Sequence, residues 1–432
     1  MASKPRIAVI GAGPSGCTLA RLLLVSKVDV DIIIYESEKS LDARTQGGTL
    51  DLHTDTGLAA LKKAQLYDEF VEHARFDGEA FIVCNKDLKR FINLGGTQEK
   101  STRGRPEIDR IQLRQILIDS LPPDMIKWNH KLQNVTLDQD GKPSLHFDHG
   151  VETGFDLVVG GDGAWSKVRN ALSPDKPFYS GISGINFHIK NVEKTQPELY
   201  TLVNRGSLFS FGLGMGLTAQ QLATDAALSV SNWMLVPENW QEIALYNCND
   251  AKASKIALSN GLKDKGWNPT LVSFLEKADE DVAVPRNLYM LRIGHKWTHK
   301  PYLTLLGDAA HLMTPFAGEG VNVAMADAMK LADAIISACN KCSPSISAEE
   351  RALAISTDVK KFEEDMFVRG TRVQQMTKDM MDAMFFDPGG PEKNIETYMY
   401  TAISDEAPWG TKWLIWCGLR VYYTIWRWRN LN

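Results

Sequence analysis

The chain opens on a strand, a turn and a helix whose glycine spacing few folds can accommodate. "RIAVI" (6–10) is a short β-branched run, "GAGPSG" (11–16) follows at once, and "CTLARLLLVS" then repeats apolar residues at helical spacing. Gly11 permits the tight turn, Gly13 lets backbone approach a pyrophosphate, and Gly16 lets the helix pack closely on the strand. Ser15 lies in the same turn, where the helix N-terminus turns N–H groups and a positive dipole end toward phosphate oxygens. A second apolar run, "VDVDIIIYE", ends in Glu36, 20 residues after Gly16, where a carboxylate can accept hydrogen bonds from ribose hydroxyls. The pattern predicts an α/β, Rossmann-like parallel sheet that holds a dinucleotide beyond the carboxyl ends of its strands.

A chain of 432 residues with 44% hydrophobic content exceeds what one core usually accommodates, so two associated domains are expected. The net charge of −5 and the lack of a sustained Lys/Arg stripe argue against nucleic acid as a partner. The six cysteines are scattered, and the first strand begins directly after "MASKP", so a reducing, cytoplasmic setting is expected. Cys339 and Cys342 form a C-x-x-C at a predicted helix end with no second pair, and no metal site is expected there.

Two later segments repeat the strand-end logic. "FDLVVGGDGAWSKVRNAL" (155–172) is a buried-strand run ending at Asp162 in Gly-Asp-Gly, before a predicted helix with Ser166, Lys167 and Arg169 near its start. "LTLLGDAAHLMTPFAGEGVN" (303–322) places Asp308 at another strand end and leads into a helix whose first turn is Gly-rich. Asp308 suits a sugar-like polyol, while Gly318, Gly320 and nearby amides cap a helix against a flat, electron-rich ring. Three such ends can converge on one extended molecule.

This trio of motifs closely resembles the FAD-binding set of the group A flavoprotein monooxygenases, the para-hydroxybenzoate hydroxylase fold. "DARTQGGTLDLH" (42–53) and "PEIDRIQLRQIL" (106–117) further resemble segments of the tetracycline-inactivating flavin monooxygenases. The resemblance implies a Rossmann-like FAD-binding domain over 1–75, 101–180 and 285–380, an inserted antiparallel-sheet substrate domain over 76–100 and 181–284, and a C-terminal helical segment over 381–432. Carried over by position, Glu36 is the ribose-binding acid, Asp51 and Arg114 are further FAD contacts, and Asp308 binds the ribityl chain. Asp162 and Asn322 fall in the second and third FAD motifs, and Arg44 matches an NADPH contact. Pro315, Phe316 and the backbone of Gly318 to Gly320 would shape the face where oxygen is transferred. On this resemblance NADPH reduces FAD, reduced FAD traps O2 as a C4a-(hydro)peroxide, and one oxygen passes to a small, aromatic or polycyclic organic substrate. The chain holds a single G-x-G-x-x-G, so the nicotinamide is expected to visit the flavin transiently. His311 is expected to pack under the flavin loop, with proton transfer the lesser alternative.

The middle of the chain offers alternating patterns such as "GINFHIKNV", "SLFSFGL" and "AALSVSNWMLV", which predict an antiparallel sheet. Asn186 aligns with an amide residue that holds tetracycline in the related branch, with an ordinary polar strand residue as the plain alternative. Ser207 falls where that branch has an arginine, so a substrate other than tetracycline is expected, and Ser37 departs from the family, where a basic residue often follows the acid. "FSFGLGMGLTAQ" reads as a pocket lining or a hairpin. Five of the eleven Trp fall in the last 24 residues, interleaved with Arg420, Arg427 and Arg429. The longest uncharged run there, Trp413 to Leu419, is too short to span a bilayer. It reads either as a helix that packs on the domain or active-site mouth, or as one that lies at a membrane interface. A monomer is expected. An oxidase or reductase of the same fold, and a non-catalytic flavin-binding protein, stay as alternatives, as do ring hydroxylation, epoxidation and Baeyer–Villiger insertion.

Overall fold

The computed structural model describes residues 4–41, 48–76, 78, 80–95, 104–223, 226–342, 346–404 and 407–430. Arg44 lies outside the described residues.

The first sheet has five parallel strands in the order Leu303–Leu305, Leu157–Gly160, Arg6–Ile10, Asp31–Tyr35 and Ile126–Lys127. The strands Arg6–Ile10 and Leu157–Gly160 and the edge strand Leu303–Leu305 are almost wholly buried and mainly apolar, as expected of parallel strands covered on both faces. The helix Pro14–Val25 packs against the long helix Gly320–Lys341, which in turn packs on the 34-residue helix Ala348–Met381. Because all five strands run the same way, Gly11, Gly161 and Gly307 emerge side by side at one edge. A two-stranded ribbon, Thr49–Asp51 with Glu107–Asp109, adds Asp51.

The second sheet has seven strands in the order Val284–Met290, Phe178–Ile189, Leu228–Leu235, Met215–Gln221, Ser207–Gly212, Phe81–Asn85 and Arg90–Leu94. All pairs are antiparallel except Ser207–Gly212 with Phe81–Asn85. Strand alternation sends Ile185, Phe187, Leu217 and Val230 into a core shared with the helices Ala251–Asp264 and Pro269–Glu276. The opposite parity carries Asn186, Ser231, Trp233 and Thr218. "FSFGLGMGLTAQ" is a hairpin whose two turn residues, Leu213 (φ 55°) and Gly214 (φ 68°), both occupy the left-handed region that two-residue hairpins favour.

After the long helix, residues Asp382–Phe386 form a π-helical turn, followed by the helices Ile395–Ser404 and Lys412–Asn430. This segment is packed on the edge of the second sheet: Phe385 meets Phe211, Trp426 meets Phe91, and the buried Tyr423 donates its hydroxyl to the Phe91 carbonyl at 3.2 Å.

Candidate functional site

The glycine-rich turn is shaped by close approach. A Cβ on Gly11 (φ 102°) would lie 2.5 Å from the Gly161 carbonyl oxygen, and one on Gly16 would lie 2.2 Å from that of Gly11. The first and second motifs therefore touch through backbone. At Gly13 a Cβ would meet nothing within 4 Å, so the helix N-terminus opens there onto free space. The first-turn N–H groups have no partner within the helix, and that cradle fits a pyrophosphate.

Glu36 is buried, and its carboxylate accepts from the Ala12 N–H at 2.7 Å, the Glu38 N–H at 2.9 Å and the Ser37 hydroxyl at 3.0 Å. Three of about four acceptor positions are thus taken by protein, leaving room for one ribose hydroxyl. Ser37 steadies the same carboxylate it follows. Arg114, on the helix Arg110–Asp119, lies beside this turn, paired with Glu38 at 2.7 Å and facing the Ala12 carbonyl at 3.5 Å.

Asp162 turns back on its own loop. Its carboxylate accepts from the Ser166 hydroxyl at 2.6 Å and the Lys167 N–H at 2.7 Å. Burial pushes its carboxyl upward, and these bonds oppose that. The helix that follows is only Arg169–Leu172, shorter than the apolar pattern suggests, because these contacts hold the preceding residues in turns. Arg169 is fully buried and donates to the carbonyls of Ala164 at 2.6 Å and Ala309 at 3.0 Å, which locks the second motif to the third.

In the third motif Asp308 is exposed on the floor of the opening. The protein packed around it pushes its carboxyl upward, opposed by His311, Arg110 and Arg169, and solvent access from the open side weakens that push. His311 is buried instead. Its Nε2 lies 2.6 Å from the Asp327 carboxylate, whose other oxygen receives Arg369 at 2.9 Å, while the Gly307 N–H donates to Asp327 at 3.0 Å. This buried triad holds the Gly307 turn in shape, and the attraction of Asp327 outweighs burial to raise the His311 pKa. Asn322 is fully buried, accepts from the His53 N–H at 2.9 Å and donates to the Asp51 carbonyl at 2.9 Å. Asp51 lies beside the ring of His53 (3.1 Å), and His53 reaches Glu319 at 3.3 Å. Pro315 begins a short 3-10 turn that ends at Gly318 (φ 72°), and a Cβ at Gly320 would meet nothing within 4 Å.

Phe316 of that turn faces the second sheet. It packs edge-on to Trp233 (6.2 Å between ring centres) and against Phe385 (4.9 Å). Further along the same sheet face, the Asn186 amide donates to the hydroxyls of Ser229 and Ser231, both at 2.9 Å. Ser207 is buried on its own strand and accepts weakly from Gln220 at 3.5 Å. Among the described residues no group of three or more His, Cys, Asp or Glu could hold a metal ion.

Sequence reading finds the motif residues but misses Arg110, whose charge opposes the upward shift at Asp308, and the triad of His311, Asp327 and Arg369. Asp327 did carry a signal. It falls four residues after Val323 and four before Leu331, on the buried stripe of its helix, where a charge requires a partner.

Three parallel strand ends and an open glycine turn that meet through backbone define a dinucleotide-binding α/β protein, with a second, mostly antiparallel sheet packed against its third motif. The FAD binding domain family matches residues 4–247 and 291–361. Monooxygenase penA of Penicillium thymicola is 33% identical over 379 residues, 77% of this chain and 84% of its own. Monooxygenase asqM of Emericella nidulans is 30% identical over 375 residues, 76% of this chain and 83% of its own. The crystal structure of tetracycline destructase Tet(51) shares the fold with a TM-score of 0.62 at 17% identity, covering 94% of this chain and 98% of that one. The chain belongs to the FAD binding domain family and is an FAD-dependent monooxygenase.

Proposed function

We propose that the enzyme couples NADPH oxidation to insertion of one oxygen atom from O2 into a small aromatic or polycyclic substrate held between the second sheet and the Pro315–Ala317 turn. The observation that carries this is the sheet face itself, with Trp233 and Phe316 at one end and the Asn186, Ser229 and Ser231 cluster at the other. An apolar ring with one polar edge complements both. When bound, the flavin supplies electron transfer from the nicotinamide and activation of O2.

The chain's own residues supply position and dryness. Gly13 and Ser15 would hold the pyrophosphate, Glu36 and Arg114 the adenosine side, Asp308 the ribityl chain, and the backbone from Pro315 to Gly320 the ring. Asp51 and Asn322 hold that turn from beneath, and Asp162 holds the loop beside it. Phe316, Trp233 and Phe385 exclude water from the transfer face. In this reading the parts expected over 1–75, 101–180 and 285–380 hold the flavin, less the strand residues 178–180 and 285–290 that belong to the second sheet, while 76–100 and 181–284 with those residues hold the substrate and 381–432 close one side.

The test is NADPH consumption across phenols, polyketides and indoles under labelled O2. Substrate-dependent consumption with one label in the product is expected. Consumption that yields only peroxide with every compound would make this an oxidase. Arg44→Ala is expected to raise the NADPH concentration needed for half-maximal flavin reduction while the flavin spectrum stays unchanged. Parental concentration dependence would remove Arg44 from the nicotinamide site.

A further inference from the structure

The terminal helix Lys412–Asn430 is anchored by one face only. Its inner side carries Trp416 against Tyr400 (5.2 Å), Tyr423 and Trp426 against Phe91, and Arg427 paired with Glu396 at 2.5 Å. At 100° per residue the opposite side carries Leu414, Cys417, Gly418, Val421, Tyr422, Ile425 and Trp428. These side chains are turned to solvent: Val421 is 61% exposed, Trp428 71% and, at the border of that face, Trp413 64%. A helix that merely covered the domain would place polar residues there.

The charge pattern names the partner. Residues 407–432 contain Lys412, Arg420, Arg427 and Arg429 and no Asp or Glu, in a chain whose net charge is −5. Arg427 is committed to Glu396, while Arg420 flanks the apolar face with its guanidinium 5.6 Å from the Trp416 ring, and Arg429 stands on the outward face itself, seven residues after Tyr422. Three aspartates, Asp379, Asp382 and the exposed Asp387, line a cleft of about 1030 Å³ together with Trp413, at the border of the apolar face. Exposed Trp and Tyr side chains bordered by cations match the interface of a bilayer with anionic headgroups. No described helix is long and apolar enough to cross a membrane, so the contact is one of lying on the surface.

We infer that the outward face of this helix docks the enzyme on a membrane containing anionic lipid. The second sheet lies directly beneath, through Phe91 and Phe385, so the docked enzyme presents its substrate side toward a phase that concentrates apolar compounds.

The flavin-loaded full chain is sedimented with vesicles of phosphatidylcholine alone and of phosphatidylcholine with phosphatidylserine. Partition into the anionic vesicles is expected, weakened by added salt. It should fall at least about tenfold both in Trp413→Ser/Trp428→Ser and in Arg420→Gln/Arg429→Gln. Those side chains leave the core intact, so flavin content and melting temperature should match the parent. Cys417, the one exposed cysteine of six, takes an environment-sensitive dye whose emission should shift to the blue on anionic vesicles, and this arm decides alone if a variant fails to fold. Equal partition into both vesicle types, or an unshifted dye, would overturn the inference. So would concentration-dependent dimerisation abolished by Trp428→Ser, which would make this face a contact between two copies.

Discussion

At the scale of single residues, two aspartates 19 positions apart are put to opposite uses. Asp308 is left open at a strand end, where its carboxylate has no protein partner in hydrogen-bond reach among the described residues and is free for a ligand. Asp308→Ala should remove hydrogen bonds worth roughly 1–3 kcal/mol each and lower FAD affinity about tenfold or more, read by equilibrium dialysis. Retention of flavin equal to the parent would make Asp308 a structural residue. Asp327 is buried between His311 and Arg369, and these partners hold its carboxyl below the usual carboxylate range. Asp327→Asn strands the buried His311, while the half-buried Arg369 keeps Asp365, and should cost about 3 kcal/mol. The sign of its pH dependence follows from both partners. The depressed Asp327 contributes stability that disappears as pH falls below about 4, and the raised His311 contributes stability that disappears as pH rises past about 6.5. The gap in melting temperature between parent and variant should therefore be widest between those limits. A gap independent of pH would show that the charges do not stabilise the turn. Asp308 was legible because a strand end and a glycine flank it. The role of Asp327 was not, because Arg369 arrives from 42 positions away on another helix.

At the scale of elements, the helix Gly320–Lys341 is placed by what its first turn grips. Asn322 ties it to Asp51 and His53 on the small ribbon, and Gly57 packs so close that a Cβ there would lie 2.8 Å from the Asn322 amide oxygen. Asn322→Ala leaves the buried His53 N–H without its partner, for a cost of roughly 1–3 kcal/mol before any relaxation, and the half-buried Asp51 carbonyl loses its bond as well. The turn from Pro315 to Gly318 should loosen with it. Thermal melts should show lower stability, and flavin fluorescence should show faster release. A variant that melts lower but releases flavin at the parental rate would separate helix anchoring from flavin binding. Ser356 and Glu363 of the neighbouring helix Ala348–Met381 hold between them His299, from the loop before the strand Leu303–Leu305, in a chain of 2.9 and 2.7 Å contacts that has the order of a hydrolytic triad. Ser356 is buried in mid-helix, where the backbone N–H groups are committed to the helix and offer no oxyanion site, and the chain fastens the helix to the loop that carries His299.

At the scale of the whole molecule, the two sheets are joined by contacts that no local pattern announces. Arg75 donates to Glu107 at 2.5 Å on the small ribbon and to the carbonyls of Arg205 (3.0 Å) and Gln221 (2.6 Å) at the ends of two strands of the second sheet. Burial pushes the Glu107 carboxyl up to about 8, against the pull of Arg75. Stability that depends on its proton is therefore lost as pH rises through that value, and removing Arg75 lifts it further. Arg75→Ala should cost roughly 3–5 kcal/mol at alkaline pH and less where Glu107 can hold its proton. Melting temperatures of parent and variant measured on both sides of pH 8 check this, and a constant difference would refute the role given to Glu107. The sequence by itself determined the parallel sheet, its three ligand-facing ends and the alternation of the second sheet, because each follows from glycine sterics or side-chain period within some 20 residues. Only the tertiary structure decided which acids stay open and which are consumed as struts, how Phe316 meets Trp233, and which face of the terminal helix is left bare. Those outcomes depend on partners far apart in the chain, and burial sets their energies only once the layers have closed.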